Sequence, residues 1–165
     1  VVGDGSAAGT KMGPLANPAR VSRQLIGIAR PDYAPVYAAA LAELGAEAAL
    51  VVSGEEVLDE VSGAGPTITV SVGSVALPDR IAPEDAGLPR HPIATIHGGD
   101  PAYNAAALRR LLSGEHGAYR DAVLLNAAAA LALGGSTLTA GAARAAEAID
   151  SGAAGALLDR WITWK

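Results

Sequence analysis

The chain has 165 residues, the length of one domain, and half of them are hydrophobic although Phe is absent, so its core must be built from Ala, Val, Leu and Ile. The net charge of −5 excludes the basic surface that nucleic-acid binding requires. The absence of cysteine excludes disulfides and thiolate metal sites. No apolar run reaches about 18 residues and the first residues do not resemble a signal peptide, so we expect a cytoplasmic protein.

The first half of the chain alternates strand-like segments with one helical segment. We predict buried strands at 24–29 and 48–52, because both are largely apolar runs beside turn residues. Between them, Pro31 and Asp32 open a helix, since Pro suits the first helical turn and Asp suits the positive end of the dipole, and Gly45 ends it. A strand, a helix and a strand in about 30 residues predict a crossover unit of a parallel sheet.

The second half changes from strands to helices. Alternating polar and apolar residues at 67–72 predict a half-exposed strand, and the Pro- and Gly-rich residues 73–100 predict an extended connection or a sheet edge. Four helices separated by glycines are expected afterwards, at 102–113, 118–133, 138–150 and 153–163. The predicted fold class is α/β, with a mostly parallel sheet flanked by helices and a helical C-terminal segment.

Asp59 and Glu60 are the sharpest candidates for chemistry. They follow the second buried strand and are expected near its C-terminal end, which is the edge of an open α/β sheet where ligands bind. Two adjacent carboxylates can hold Mg²⁺ through oxygens and leave positions for waters and a diphosphate. The alternative is a solvated acidic turn that also includes Glu55 and Glu56.

A glycine-rich segment near the start is a candidate phosphate loop. Backbone N–H groups of Gly3, Asp4 and Gly5 would cradle the anion. A flexible terminus, an expression linker or a deletion scar would explain the same residues. Residues 1–20 are therefore predicted as a loop rich in Gly and Pro, and residues 21–165 as a single domain.

Other polar and aromatic residues are expected to serve the structure. Asp100 precedes a predicted helix and is a candidate N-cap. Asn126 and Asp150 lie on otherwise apolar helices, where a satisfied buried hydrogen bond is the ordinary role of a polar residue. Trp161 and Trp164 are expected to close the last helix on the domain. No histidine has a spacing typical of zinc sites, and no serine lies in a nucleophile elbow.

Several motifs occur together in one order and near one spacing. They are Gly-Pro-Leu-Ala-Asn-Pro at 13–18, Leu-Asp-Glu at 58–60, Gly-Pro-Thr at 65–67, the run from Asp121 through Asn126 to Gly134, and Ala-Glu-Ala-Ile-Asp-Ser-Gly at 146–152. In this combination the chain resembles the C-terminal part of anthranilate phosphoribosyltransferase. The resemblance runs from about Met12 to Trp161.

The resemblance implies a fold, a reaction and a metal. The fold is the α/β domain of the nucleoside phosphorylases and phosphoribosyltransferases, here truncated, without the N-terminal helical domain and most substrate loops. The reaction is transfer of a phosphoribosyl group from phosphoribosyl diphosphate to anthranilate in tryptophan biosynthesis. The resemblance implies Mg²⁺ held by Asp59 and Glu60 and a phosphate contact at Gly3, Asp4 and Gly5. It assigns no catalytic residue.

Two other functions remain open at this stage. The chain alone is inactive if it is a non-catalytic folded fragment or an engineered minimal domain, which would associate with the missing N-terminal half or with itself. The second alternative is phosphorolysis of the pyrimidine nucleoside phosphorylase type, which uses phosphate and a nucleoside. A substrate test with uridine or thymidine separates this alternative from transfer to anthranilate.

Overall fold

The computed structural model describes residues 13, 15, 17–19 and 21–164. It contains a four-stranded sheet and five α-helices. The strands are β1 (Arg23–Gly27), β2 (Ala48–Gly54), β3 (Thr67–Gly73) and β4 (Arg80–Ile81). The helices are α1 (Ala34–Glu43), α2 (Pro101–Leu112), α3 (Ala118–Ala132), α4 (Leu138–Asp150) and α5 (Ala153–Thr163). Short 3-10 helices lie at Pro31–Tyr33, Pro83–Ala86 and Ile93–Ile96.

The sheet is mixed, so the prediction of a mostly parallel sheet was wrong. Its strand order is β1-β2-β3-β4, and only β1 and β2 run parallel, joined through α1 as the crossover pattern predicted. Strand β3 pairs antiparallel with β2, and β4 pairs antiparallel with β3. The physical reason is the connection at 55–66, which contains no helix to carry the chain back across the sheet. The polar-apolar alternation of β3 is itself typical of antiparallel strands.

Strand β2 is the centre of the molecule, because all seven of its residues are buried. Its side chains alternate between two faces. Leu50 and Val52 belong to a core cluster that contains Leu125 and three alanines of α3, while Val51 belongs to a second cluster with Leu41 of α1. The sheet therefore lies between α1 on one side and α3 with α4 on the other.

The C-terminal helices pack closely because their facing residues are small. A Cβ placed on Gly141 of α4 would lie 2.9 Å from the Cα of Ala128 in α3. Helix α2 begins as predicted, since the Asp100 carboxylate accepts the Tyr103 N–H at 2.8 Å. None of the helices in the described part of the chain is long and apolar enough to cross a membrane.

Helix α5 contradicts one expectation. It has no buried residue, and Trp161 and Trp164 are 71% and 82% exposed. These tryptophans therefore do not close the helix on the domain in this chain. Helix α5 forms where the sequence predicted it, but its largest apolar side chains face outward.

Candidate functional site

Asp59 and Glu60 lie in the β2–β3 connection, residues 55–66, which we call the Asp-Glu loop. The loop follows the C-terminal end of β2, and because β1 runs parallel to β2, both strands end at this edge of the sheet. Both acidic residues are exposed. The structure thus places the pair where ligands of open α/β sheets bind, and their role as metal ligands remains a prediction.

The Asp-Glu loop begins with a tight turn at the end of β2. The Gly54 N–H donates to the Leu58 carbonyl at 2.8 Å. Between them Val57 has a φ of 62°, an uncommon left-handed conformation for a β-branched residue. A Cβ on Gly54 would lie 3.1 Å from the Cβ atoms of Leu58 and Ser62, so a side chain there would make these neighbours shift slightly.

The backbone of Asp59 packs against the end of β1. A Cβ on Gly27 would lie only 1.6 Å from the Asp59 carbonyl oxygen. Glycine is therefore the one residue type at position 27 that allows the Asp-Glu loop to lie this close to the strand. This contact joins the ends of the two parallel strands at the candidate site.

The side chain of Asn126 in α3 holds the loop from the other direction. The Val61 N–H donates to Asn126 Oδ1 at 2.9 Å. Asn126 Nδ2 donates to the Val61 carbonyl and to the Ala122 carbonyl, both at 3.0 Å. This confirms the expected hydrogen bonding of Asn126 and shows that its partner is the backbone immediately after Glu60.

Further hydrogen bonds order the second half of the loop. The Ser62 N–H donates to Thr67 Oγ1 at 2.8 Å, and both residues are fully buried. The His91 N–H donates to the Gly63 carbonyl at 2.9 Å, and His91 Nε2 lies 2.6 Å from Asp121 Oδ2 in α3. The backbone of the Asp-Glu loop is thus held by hydrogen bonds at several points, while its acidic side chains are exposed.

The four acidic side chains of the loop do not share one environment. Glu55 is paired with Arg80 of β4. No ion pair joins Asp59 or Glu60 to a basic side chain in the part of the chain that the structure describes. Two adjacent carboxylates without a cationic neighbour are left to interact with water or a cation.

This donor set fits Mg²⁺ better than a metal that requires a protein cage. Among the described residues, no three His, Asp or Glu side chains come together in a way that could hold a metal ion. Mg²⁺ usually keeps several waters and binds through one or two carboxylates together with substrate phosphates. Asp59 and Glu60 offer two such carboxylates and leave the remaining positions open.

A groove runs along β1 as far as Gly27, and no residue of the Asp-Glu loop lines it. It has a volume of about 540 Å³ and is lined by Gly13, Asn17, Val21 and the residues of β1 up to Gly27. Gly13 and Asn17 of the sequence motif at 13–18 therefore border the strand on whose last residue Asp59 packs. The outer edge of β1 pairs with no other strand of the described chain.

Other predicted and observed features lie apart from this edge. The phosphate-loop candidates Gly3, Asp4 and Gly5 lie outside the described residues. A separate cavity of about 290 Å³ lies between α2 and the start of α3 and includes His97 and Arg110 in its lining, but no residue of the Asp-Glu loop.

Sequence reasoning missed the residues that hold the Asp-Glu loop. It did not connect Gly27, Asn126 or the His91–Asp121 pair with Asp59 and Glu60. The signal for Asn126 was present, since an amide on an apolar helical face needs partners, but its partners are distant in the chain.

Comparisons with known proteins agree with the resemblance seen in the sequence. The profile of the family described as "Glycosyl transferase family, a/b domain" matches residues 10–155. The anthranilate phosphoribosyltransferases of Sphingopyxis alaskensis and Novosphingobium aromaticivorans are 59% and 55% identical to the chain. These matches cover 93% and 92% of the chain but 47% of each relative. The chain thus spans about half the length of the relatives it matches.

Solved structures give the same result. Anthranilate phosphoribosyltransferase from Thermus thermophilus matches with a TM-score of 0.82 and 42% identity, over 92% of this chain and 45% of that one. The enzyme from Saccharomyces cerevisiae in complex with PRPP and Mg matches with a TM-score of 0.80 and 30% identity, over the same shares. The same yeast enzyme was also solved in complex with 4-fluoroanthranilate.

Proposed function

The chain belongs to the glycosyl transferase family through its a/b domain and is related to the anthranilate phosphoribosyltransferases, and on that premise we propose that it carries the metal-binding part of their site. The reaction we propose for the whole site is transfer of the phosphoribosyl group of phosphoribosyl diphosphate (PRPP) to anthranilate in tryptophan biosynthesis. We further propose that it takes place in the cytoplasm.

The observation that carries this proposal is that Asp59 and Glu60 form no ion pair with any described residue and lie on a hydrogen-bonded loop, at the edge where open α/β sheets bind ligands. The yeast relative that was solved with PRPP and Mg supports the assignment of Mg²⁺. When bound, Mg²⁺ would neutralise charge on the leaving diphosphate. Asp59 and Glu60 would hold this cation through carboxylate oxygens, with waters and diphosphate oxygens at its other positions.

The proposed reaction places few covalent demands on the protein. The bond from ribose C1 to the diphosphate oxygen breaks, a bond from C1 to the anthranilate nitrogen forms, and that nitrogen gives a proton to water. The products are phosphoribosyl-anthranilate and diphosphate. The contribution of this chain is positioning, because Gly27 and Asn126 hold the Asp-Glu loop in place before the substrate arrives.

A second candidate is that the chain is one part of the family's architecture and is inactive until the rest is present. Two observations favour it. The chain spans 47% of its Sphingopyxis relative, and β1 offers an unpaired edge to a further strand in the described part of the chain. Its partner would then be the other half of such an enzyme. The phosphorylase alternative receives no support from the relatives compared above.

The decisive experiment follows anthranilate fluorescence with the purified chain, PRPP and Mg²⁺. The test variant is Asp59→Ala/Glu60→Ala, and Glu56→Ala is its control because it removes an exposed carboxylate of the same loop. We expect any turnover of the unmodified chain to fall at least about 100-fold in the double variant and to persist in the control.

Two results would contradict the proposal in different ways. Turnover that survives in the double variant would exclude Asp59 and Glu60 as the metal ligands. No turnover in a chain shown to be folded by circular dichroism would favour the second candidate. Addition of the N-terminal half of a relative would then be expected to restore activity.

A further inference from the structure

Asn126 uses every polar atom of its side chain to hold one point of the backbone. Its oxygen accepts the Val61 N–H at 2.9 Å, and its NH₂ group donates to the Val61 and Ala122 carbonyls at 3.0 Å. If the amide were flipped, its NH₂ group would face the Val61 N–H and its oxygen would face the Val61 and Ala122 carbonyls. Only one orientation of the amide therefore makes all three hydrogen bonds.

Val61 needs this partner because it is buried. Its exposed fraction is 1%, and its side chain belongs to the core cluster beneath the sheet. Without Asn126, its N–H and carbonyl would lose the partners that the structure provides in the interior. The bonds to Val61 therefore cannot be removed without moving that residue or admitting water.

The carboxylate pair lies between two fixed points of the backbone. Before it, the Asp59 carbonyl rests against Gly27, where a Cβ would approach to 1.6 Å. After it, Val61 follows Glu60 directly, and consecutive Cα atoms are about 3.8 Å apart. A shift of Val61 is thus transmitted to Glu60 over a single peptide unit.

We propose that Asn126 is a positioning residue, whose bonds to Val61 hold Asp59 and Glu60 so that both carboxylates face one divalent cation. This inference rests on the proposed metal site and adds the residue that orients it. Groups that orient metal ligands without touching the metal typically change metal affinity by about 10- to 100-fold when mutated.

The chain provides a matched control for Asn126. Asn104 in α2 makes the same kind of clamp, accepting the Gly99 N–H at 2.8 Å and donating to the Gly99 carbonyl at 3.0 Å. Its clamp holds a different loop and lines the separate cavity beside α2. The same substitution at Asn104 and at Asn126 therefore distinguishes a general effect of losing such hydrogen bonds from the specific effect of losing those to Val61.

The first test measures binding of Mn²⁺ alone by water-proton relaxation, with circular dichroism as a check of folding. Asn126→Asp keeps an acceptor for the Val61 N–H but places a carboxylate oxygen, which cannot donate, against the Val61 and Ala122 carbonyls. We expect it to weaken Mn²⁺ binding by about 10-fold or more. Asn104→Asp should stay within about 2-fold of the unmodified chain, and Asp59→Asn/Glu60→Gln should abolish binding.

The second test measures hydrogen exchange without any metal. We expect a protected Val61 amide in the unmodified chain and at least about 10-fold faster exchange of the Asp-Glu loop in Asn126→Asp, with β2 unchanged. If Asn126→Asp fails to fold, Asn126→Ser removes the clamp without a charge and serves for both measurements.

The outcomes separate this inference from the proposed function. A folded Asn126 variant with unaltered Mn²⁺ affinity, or a Val61 amide that exchanges as an unprotected one, overturns the positioning role even if the metal site is correct. If the unmodified chain does not bind Mn²⁺, or if Asp59→Asn/Glu60→Gln binds it equally, the metal assignment itself fails and the inference fails with it.

Discussion

Gly27 and Asn126 fix the same loop by opposite means. Gly27 allows contact because it has no side chain, and Asn126 makes contact because its amide satisfies two buried backbone groups and a third acceptor. Arg120 of α3 is 4% exposed and donates through Nη2 to Asp150 at 2.9 Å, while its buried Nη1 has no hydrogen-bond partner among the described residues. Asp150 is thus hydrogen-bonded as expected, but its side chain is 55% exposed, so the expected burial of that bond was wrong.

Replacement of Gly27 by Ala should displace the Asp-Glu loop. The added Cβ would lie 1.6 Å from the Asp59 carbonyl, so the backbone itself must move. We expect a loss of about 1–3 kcal/mol in the free energy of unfolding, the usual range for overpacking, measured by urea denaturation. Gly63→Ala is the control in the same loop, because its Cβ would lie at an ordinary 4.0 Å from Ala122. Equal stabilities of the two variants would contradict this account.

Among the elements, the close packing of helices α3 and α4 depends on the small residues at their interface. Helices α3 and α4 approach closely through Ala128 and Gly141, and three buried alanines of α3 share a core cluster with Leu50 and Val52. A core without Phe therefore reaches close packing by bringing backbones together rather than by filling space with large rings. The cost is that few of these contacts tolerate an added methyl group.

The same substitution should have opposite effects in two helices. Gly141→Ala would place a Cβ 2.9 Å from the Ala128 Cα, and we expect a loss of about 1–2 kcal/mol of stability. Gly155→Ala would place one at 3.7 Å from the Leu112 carbonyl oxygen, and the higher helix propensity of Ala should stabilise the chain by about 0.5–1 kcal/mol. Thermal unfolding measures both. A gain at Gly141 would show that α3 and α4 separate at little cost.

The local elements of this fold were accessible from the sequence. The four C-terminal helices were each predicted to within about two residues, and Gly45 ends α1 with a φ of 80° as its position indicated. The direction of β3 was not predicted. Its alternating pattern was recognised, but the parallel expectation of the β1–α1–β2 unit was extended to it.

At the scale of the whole molecule, burial is distributed unevenly. Strand β2 is buried throughout, whereas α5 has no buried residue and exposes Leu157 and Trp161, and Trp164 directly after it is also exposed. The matched relatives are about twice as long as the chain. The two tryptophans are the only ones in the sequence, and both lie at this exposed end.

Tryptophan fluorescence should therefore report on α5 and not on the core. We expect native emission typical of solvent-exposed indole, efficient acrylamide quenching, and little change at the midpoint of the circular dichroism transition. An indole that is exposed before and after unfolding changes its environment little, so its fluorescence would not follow the cooperative transition. Blue-shifted native emission that depends on protein concentration would contradict the expectation, since it would mean that copies of the chain cover α5.

Helical periods, caps and turn residues act within a few positions of the chain, so the elements, the α/β class and the Asp59–Glu60 candidates could be predicted from the order of residues. The antiparallel direction of β3 and the contacts of Gly27 and Asn126 with the Asp-Glu loop could not, because they depend on residues that are distant in the chain. Asn126 and Val61 are 65 residues apart, and they meet only because α3 packs on the face of the sheet beside β2.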